Sequence, residues 1–448
     1  MGDESGSNRN STVRQAARAR AGSGSDDPRG DVIVQGAVAG PGWGGQADGM
    51  SELPVPKVGD EAGWVREHLG ALLVDDVRSS SIRGGQAAAD AALAAFDVAG
   101  YAEQRNEVWP VAARGASRLS PYIRHGLLTL PRVWRDVRGP SADVAKFRDE
   151  LLWQEYARHL YSRVGSVMGR SLRFSVLERG APAPDRDGWP DDMACVASVV
   201  SELHDDGWLP NQARMWLASQ WSVRGGRGWR DGEDLMFRQL LDGSRAANRV
   251  GWQWTVGALT GKPYGFSRQQ VERRAPGVCG TCALASQCPI QRWPDDREPE
   301  PRPTVDPRLR RGTVEPTFAQ GGIPGQVWLT AESLGDDDPA LRAYPDLPAV
   351  FVWDAPLLAR LRLSSVRLVF LAECLADLAT RRELEVRVGE PTAELAGRRL
   401  AATDAPVPGW RRRAEAVGPV AVEAWPWLVP PHSGPVTSFT AWRRSSGV

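Results

Sequence analysis

Two periods divide this chain. From Trp64 to about Trp293 apolar residues recur at i, i+3 and i+4, the spacing of helices that bury one face. The strongest stretches are 87–99 (AAADAALAAFDVA), 146–164 (KFRDELLWQEYARHLYSRV) and 194–207 (ACVASVVSELHDDG), each read as a helix. Beyond Pro316 short β-type runs at 327–334, 349–354 and 384–391 alternate with helical stretches such as 367–381. That alternation predicts a parallel sheet covered by helices. Between the two regions, 295–316 is dense in proline and charge, a linker by composition. Residues 1–60 are rich in Gly, Ser, Arg and Asp and lack an apolar period, the mark of a disordered tail. The expected boundaries are a tail at 1–60, a helical domain at 61–294, a linker at 295–322 and an α/β domain at 323–448, an α plus α/β fold class.

Composition narrows this picture. At 448 residues the chain can build two or three cores. Lys and Arg number 55 against 55 Asp and Glu, so no global basic excess advertises nucleic-acid binding, although a local patch is compatible with neutrality. No apolar run approaches the ~20 residues of a membrane helix, and the N-terminus has no apolar signal core. A cytoplasmic protein is expected. The five cysteines are odd in number and three of them cluster as Cys279-x2-Cys282-x5-Cys288, which suggests a metal site rather than a secreted disulfide framework. Nineteen Trp is unusual; filling apolar cores is the ordinary use, and electron relay or stacking on planar ligands is the alternative.

Four segments carry a resemblance. DGSRAANRVGWQW (242–254), ASRLSPY (116–122), ELLWQEY (150–156) and GWLPNQARM (207–215) stand in the order and spacing of the flavin domain of the photolyase/cryptochrome family. The second region, through DDDPALRAYPDLPAVFVWD (336–354), RLVFLAECLADL and VRVGEP, resembles the Rossmann-like α/β antenna domain that opens ordinary photolyases, and PWLVPPHSGPVTSFTAWRR (426–444) resembles its closing segment. The order here is reversed, so the chain resembles a circularly permuted member. The looser α/β likeness has no GxGxxG after its first strand, which disfavours dinucleotide binding there.

The resemblance implies FAD. Tyr101, Ser117, Arg118, Leu119 and Ser120 match its phosphate cradle, Phe147 an aromatic wall, and Arg214 with Asp242 a buried ion pair beside the ring. Asn248 matches the amide facing flavin N5, where it can donate and accept. Ser244 stands where a carboxylate is common. Hydroxyl, guanidinium and N–H donors before a helix start suit phosphate; an ordinary N-cap at Ser120 followed by Pro121 explains the serine and proline equally, though not the arginine. Trp252 and Trp229 match two members of the family's electron relay, and no Trp occupies the third place, in 165–180.

Glu150, Trp153, Asn211, Met215 and Trp254 match positions that hold a flipped-out cyclobutane pyrimidine dimer in UV-damaged DNA. Glu150 and Trp153 also sit at i, i+3 on one helix face, where packing alone accounts for them. Gln154 and Gln212 replace arginines that grip DNA, and Pro210 replaces a His, so acid–base chemistry through that His is disfavoured. Cys195, Cys279, Cys282 and Cys288 resemble the ligands of a 4Fe-4S cluster in iron–sulfur bacterial members, with zinc as the alternative. The expectation is a blue-light FAD photolyase that splits pyrimidine dimers, a carbon–carbon lyase. The alternative is a cryptochrome-type photoreceptor acting on a protein partner. An antenna chromophore, the dimer type and the oligomeric state are left open.

Overall fold

The computed structural model describes residues 51–176, 188–292, 302–303, 306–314 and 319–448. The chain enters through strand β1 (Glu52–Leu53) and helix α1 (Glu61–His68). Helices α2 (Gln86–Ala95), α3 (Ser120–Arg124) and the long α4 (Ser141–Val164) follow. Next come α5 (Ala194–Asp206), α6 (Asn211–Ala218), α7 (Trp229–Gln239), α8 (Arg245–Thr255) and α9 (Arg268–Arg274). A small antiparallel pair joins β2 (Phe174–Ser175), between α4 and α5, to β3 (Arg302–Pro303), between α9 and the sheet. Strands β4 (Gln326–Leu329), β5 (Ala349–Asp354), β6 (Leu384–Gly389), β7 (Leu400–Thr403) and β8 (Ala421–Glu423) then build the sheet, with α10 (Ser365–Ala379) between β5 and β6 and α11 (Phe439–Ser446) closing the chain.

The helices answer the expected periods with shifts at their ends. In α4 Phe147, Leu151, Leu152, Tyr156 and Leu160 bury one face, and the helix starts five residues before the expected Lys146. Helix α5 stops at Asp206 because Gly207 takes the left-handed conformation, φ 63°, that closes a helix without a Cβ penalty. Helix α10 is apolar nearly all round and buried all round, as a helix covered on every side must be.

The sheet order is β1-β6-β5-β4-β7-β8, with β4 to β8 parallel and β1 antiparallel on β6. Counting from β4, the parallel strands run 3-2-1-4-5. Strand β5 reads as an uninterrupted apolar run because both its faces are covered. Strand β6 alternates, with Leu384, Val386 and Val388 inward and Glu385 and Arg387 in ion pairs outward.

Three boundaries differ from expectation. Residues 1–50 of the expected tail lie outside the described residues, but 51–60 are placed: Glu52 pairs with Arg387 and Leu53 with Val386, because the β6 edge offers unpaired backbone groups. Helix α1, assigned to the helical domain, packs on α10, and the Trp64 ring lies 5.9 Å from Trp353 of the sheet. Much of the expected linker lies outside the described residues. The described stretch 306–314 is docked rather than loose: Leu309 is buried and its carbonyl accepts from Val436 N at 2.8 Å.

Candidate active site

The cofactor end begins at the turn into α8. Ser244 caps this helix, its Oγ accepting from Ala247 N at 3.5 Å. Just ahead of it, Asp242 is 8% exposed and accepts both forks of Arg214, at 2.8 and 3.1 Å. Arg214 gives its remaining Nε–H to the Leu209 carbonyl at 2.9 Å. A bidentate pair is what a buried carboxylate requires. Arg367 of α10 reaches across from the sheet side to the carbonyls of Phe237 and Gly243, both at 2.8 Å. A Cβ on Gly243 would lie 2.3 Å from that guanidinium, so the close approach demands glycine. The sheet layer thus holds the turn that carries Asp242, a role for Arg367 that no local sequence signal announced.

One turn along, Asn248 is buried and its Nδ2 finds no hydrogen-bond partner among the described residues. The Nε1 groups of Trp252 and Trp229 are buried and unpartnered in the same way. Buried donors without acceptors are costly unless a ligand completes them. An amide aimed at a flavin ring fits that description, so the residues present suit the cofactor.

The expected phosphate segment has a different internal geometry. Arg118 adopts φ 55°, uncommon for a residue with a Cβ. Its guanidinium donates to Ser81 Oγ at 2.8 Å, pairs with Asp206 at 3.2 Å, and lies 5.4 Å over the Trp208 ring. Ser117 Oγ accepts from Leu119 N at 3.4 Å, and Leu119 is fully buried. Ser120 is not an N-cap: it is the first residue of α3 and its hydroxyl accepts from Trp208 Nε1 at 3.0 Å. Tyr101 and Phe147 meet edge to face at 5.1 Å in a buried aromatic wall, and burial pushes the phenol well above its usual range.

The expected dimer-binding residues sit on α4, α6 and α8, and α8 packs against both of the others. Trp153 and Trp254 border the same apolar cluster. Asn211 is exposed and donates to Met215 Sδ at 3.5 Å. Glu150 is engaged by Lys146 at 2.8 Å and Arg105 at 3.3 Å. Trp153 stacks on Phe439 of α11, centroids 4.0 Å apart at 11°. Trp254 leans on Tyr264 at 5.8 Å, and Tyr264 accepts from Gln212 at 2.8 Å. Phe439, inside the closing segment 426–444, and Tyr264, outside every quoted segment, were not singled out as site residues in the sequence.

Behind Trp153, the C-terminal segment is clamped to α4. Glu155 accepts from Val429 N at 2.9 Å, and Tyr156 donates to the Val436 carbonyl at 3.1 Å. Burial pushes the Glu155 carboxyl up to about 7. Burial likewise holds His159 neutral, down to about 4.

The four cysteines line one cavity with Met193, Val278, Leu284 and Ile290, and none is in a disulfide. Cys195 near the start of α5 is buried, and its thiol is pushed up to about 12, by burial first and then by the three neighbouring sulfurs. Among the described residues no group of His, Cys, Asp or Glu is gathered closely enough to hold a metal ion.

Residues 147–270 match the family model described as the FAD binding domain of DNA photolyase. Over 225 residues the chain is 32% identical to a deoxyribodipyrimidine photo-lyase of Thermus thermophilus, covering 47% of this chain and 51% of that one. It is 26% identical over 259 residues to the Synechococcus enzyme of that name, covering 52% and 51%, and 30% over 178 residues to that of Escherichia coli, covering 36% of each. The chain spans about half the length of the first of these relatives. Among solved structures it is similar to a Synechocystis cryptochrome at 21% identity and TM-score 0.39, covering 45% of this chain and 46% of that one. A class III photolyase of Agrobacterium tumefaciens follows at 23% identity and TM-score 0.35, covering 49% and 46%. The family-model match and the photo-lyase relatives show a likeness over part of this chain. The family-model match runs from α4 to α9, and among the described residues no helix is long and apolar enough to cross a membrane.

Proposed function

We propose that this protein is a blue-light, FAD-dependent photolyase that splits cyclobutane pyrimidine dimers in DNA. The observation that carries the reading is the turn into α8: a buried Asp242–Arg214 pair beside an Asn248 amide whose donor is orphaned, inside the segment that matches a photolyase flavin domain. When bound and reduced, the flavin supplies, under light, the single electron that opens a cyclobutane ring. Asn248 would face its N5 edge, Tyr101 and Phe147 would wall it, and residues 117–120 would offer donors to its phosphates. Trp153 and Trp254 offer apolar faces for the two pyrimidines. Glu150 can hydrogen-bond a pyrimidine edge once Lys146 and Arg105 yield it. The α/β region is read as a permuted antenna-type domain of unassigned chromophore, and the protein as cytoplasmic. The four-cysteine cavity is read as the place for a 4Fe-4S cluster, with zinc as the alternative, because Cys195, Cys279, Cys282 and Cys288 line one cavity.

The test is illumination of a dimer-containing oligonucleotide with anaerobically photoreduced protein beside a dark control. Light-dependent recovery of intact thymines is expected; its failure with flavin bound overturns the reading. A photoreceptor is favoured by separate observations. Gln212 is tied to Tyr264 rather than free for a phosphate, Glu150 is already ion-paired, and one Trp153 face is covered. Light-dependent change in a protein contact without repair would establish it.

A further inference from the structure

Besides Arg367, two consecutive residues at the end of α3 grip the turn that carries Asp242. Arg124 donates its Nε–H to the Gly243 carbonyl at 2.9 Å, and His125 Nε2 lies 2.9 Å from the Leu241 carbonyl. Each side chain has a second end. Arg124 Nη2 pairs with Glu332 at 2.7 Å, and His125 Nδ1 meets the Ala331 carbonyl at 2.5 Å. Residues 331 and 332 belong to the loop that leaves β4, so Arg124 and His125 span the same two segments. The backbones are jammed together where they cross. A Cβ on Gly126 would lie 2.4 Å from the Glu332 carbonyl oxygen, and one on Gly335 2.2 Å from that of Gly126. Leu334 N donates to the His125 carbonyl at 3.1 Å. The two links are unequal. Burial, then the charges of Arg124 and Arg367, holds His125 neutral. A neutral imidazole has one N–H, so His125 donates to one of its two carbonyls at a time. Arg124 donates at both ends at once, and its Glu332 end is charge-assisted. Burial alone would raise the Glu332 carboxyl; the Arg124 charge outweighs it and holds the group below its usual range.

We infer that Glu332, in the α/β region, is a positioning residue for the flavin: through Arg124 it fixes the turn that carries Asp242, so flavin binding and the order of the loop after β4 depend on each other. The inference rests on the flavin reading above and does not need dimer repair. A flavin that requires Asp242 in place favours the arrangement in which Arg124 meets Gly243, and that arrangement also places Glu332. The pair is well shielded, with the Arg124 and Glu332 side chains 13% and 10% exposed, so water competes little for it. By linkage the dependence is reciprocal. Whatever factor the loop contributes to flavin affinity, the flavin returns to the order of the loop.

Two measurements on the full chain test this. The first is titration with FAD, followed by flavin fluorescence. Glu332→Gln keeps the size of the side chain and loses its charge, and is expected to raise the Kd about tenfold. Arg124→Met combined with Glu332→Met leaves no stranded charge, so folding tolerates it, and should bind FAD as weakly. Arg413→Met, which breaks the Arg413–Asp354 pair elsewhere in the α/β region, should leave the Kd unchanged, a contrast that general loosening of that region would not produce. A parent-like Kd in either Glu332 variant overturns the inference. The second measurement is hydrogen exchange of the parent with and without FAD, and it needs no variant. The Leu334 amide is expected to slow about tenfold when FAD binds, in step with the change in Kd. Exchange at Leu334 that ignores bound FAD overturns the inference whatever the variants do. A parent that takes up no FAD sinks the flavin reading and the inference together. FAD uptake without repair of dimers sinks the repair reading alone.

Discussion

The two walls of the candidate site differ in how far the chain satisfies its own groups. On the cofactor wall, Asn248 Nδ2 and the Trp252 indole N–H are buried donors with no partner among the described residues. On the substrate wall, Glu150 has two cations, Trp153 has Phe439 and Gln212 has Tyr264. A wall with orphaned donors is completed by a resident ligand; a wall that is internally satisfied must exchange contacts before it accepts one. On the proposed reading a flavin would complete the Asn248 donor, and a dimer would have to compete with Lys146, Arg105 and Phe439 for Glu150 and Trp153.

The sharpest way to break this comparison is at Asp242. Asp242→Ala strands Arg214 and should cost about 3 kcal/mol of stability along with bound flavin; denaturant unfolding and flavin stoichiometry measure both. A variant with parent-like unfolding and full flavin would mean that the pair does not fix the cofactor wall. Next in size is the clamp behind the substrate wall. Glu155 prefers its proton in the fold, with a carboxyl raised from 4.5 to about 7. Its contribution is therefore complete below about pH 4.5 and fades as pH rises through 7, by up to about 3 kcal/mol. Glu155→Gln should flatten that slope in pH-dependent melts, while Glu373, pushed up to about 7 by its own burial, keeps its share. An unchanged slope would place the titration elsewhere.

Phe439→Ala should cost about 1 kcal/mol of stacking and raise affinity for a dimer-containing oligonucleotide, because it uncovers a Trp153 face. Weaker binding would mean that Phe439 serves to orient Trp153 rather than to occupy it. Smallest is Lys146→Met, which removes a partly exposed ion pair for about 0.5 kcal/mol. It should leave the melting temperature nearly unmoved and tighten dimer binding by freeing Glu150; no change in binding would make Arg105 its effective partner.

Local periodicity made the long helices and the parallel strands legible, with ends misplaced by a few residues where caps lie outside the apolar pattern. Ser141 to Ala145 carry no strong apolar signal and still extend α4. The Asp242–Arg214 pair was legible through resemblance, since the motif fixes both residues. What stayed hidden depends on distant partners. Ser120 reads as a cap because Trp208, the donor that claims its hydroxyl, stands far along the chain. Nothing near Trp153 announces Phe439, and nothing near Gly243 announces Arg367. The strand 52–53 is too short to show a period, and it is an edge that recruits it.

That short strand has a consequence for how the protein behaves in company. By pairing with β6, residues 52–53 occupy a row of backbone donors and acceptors that would otherwise face water beside the apolar β5–β6 centre of the sheet. An uncovered edge of this kind recruits strands from neighbouring molecules. A chain trimmed to begin at Asp60 should keep its helices and its sheet yet self-associate with rising concentration, so that a stretch of two residues acts as a guard on solubility.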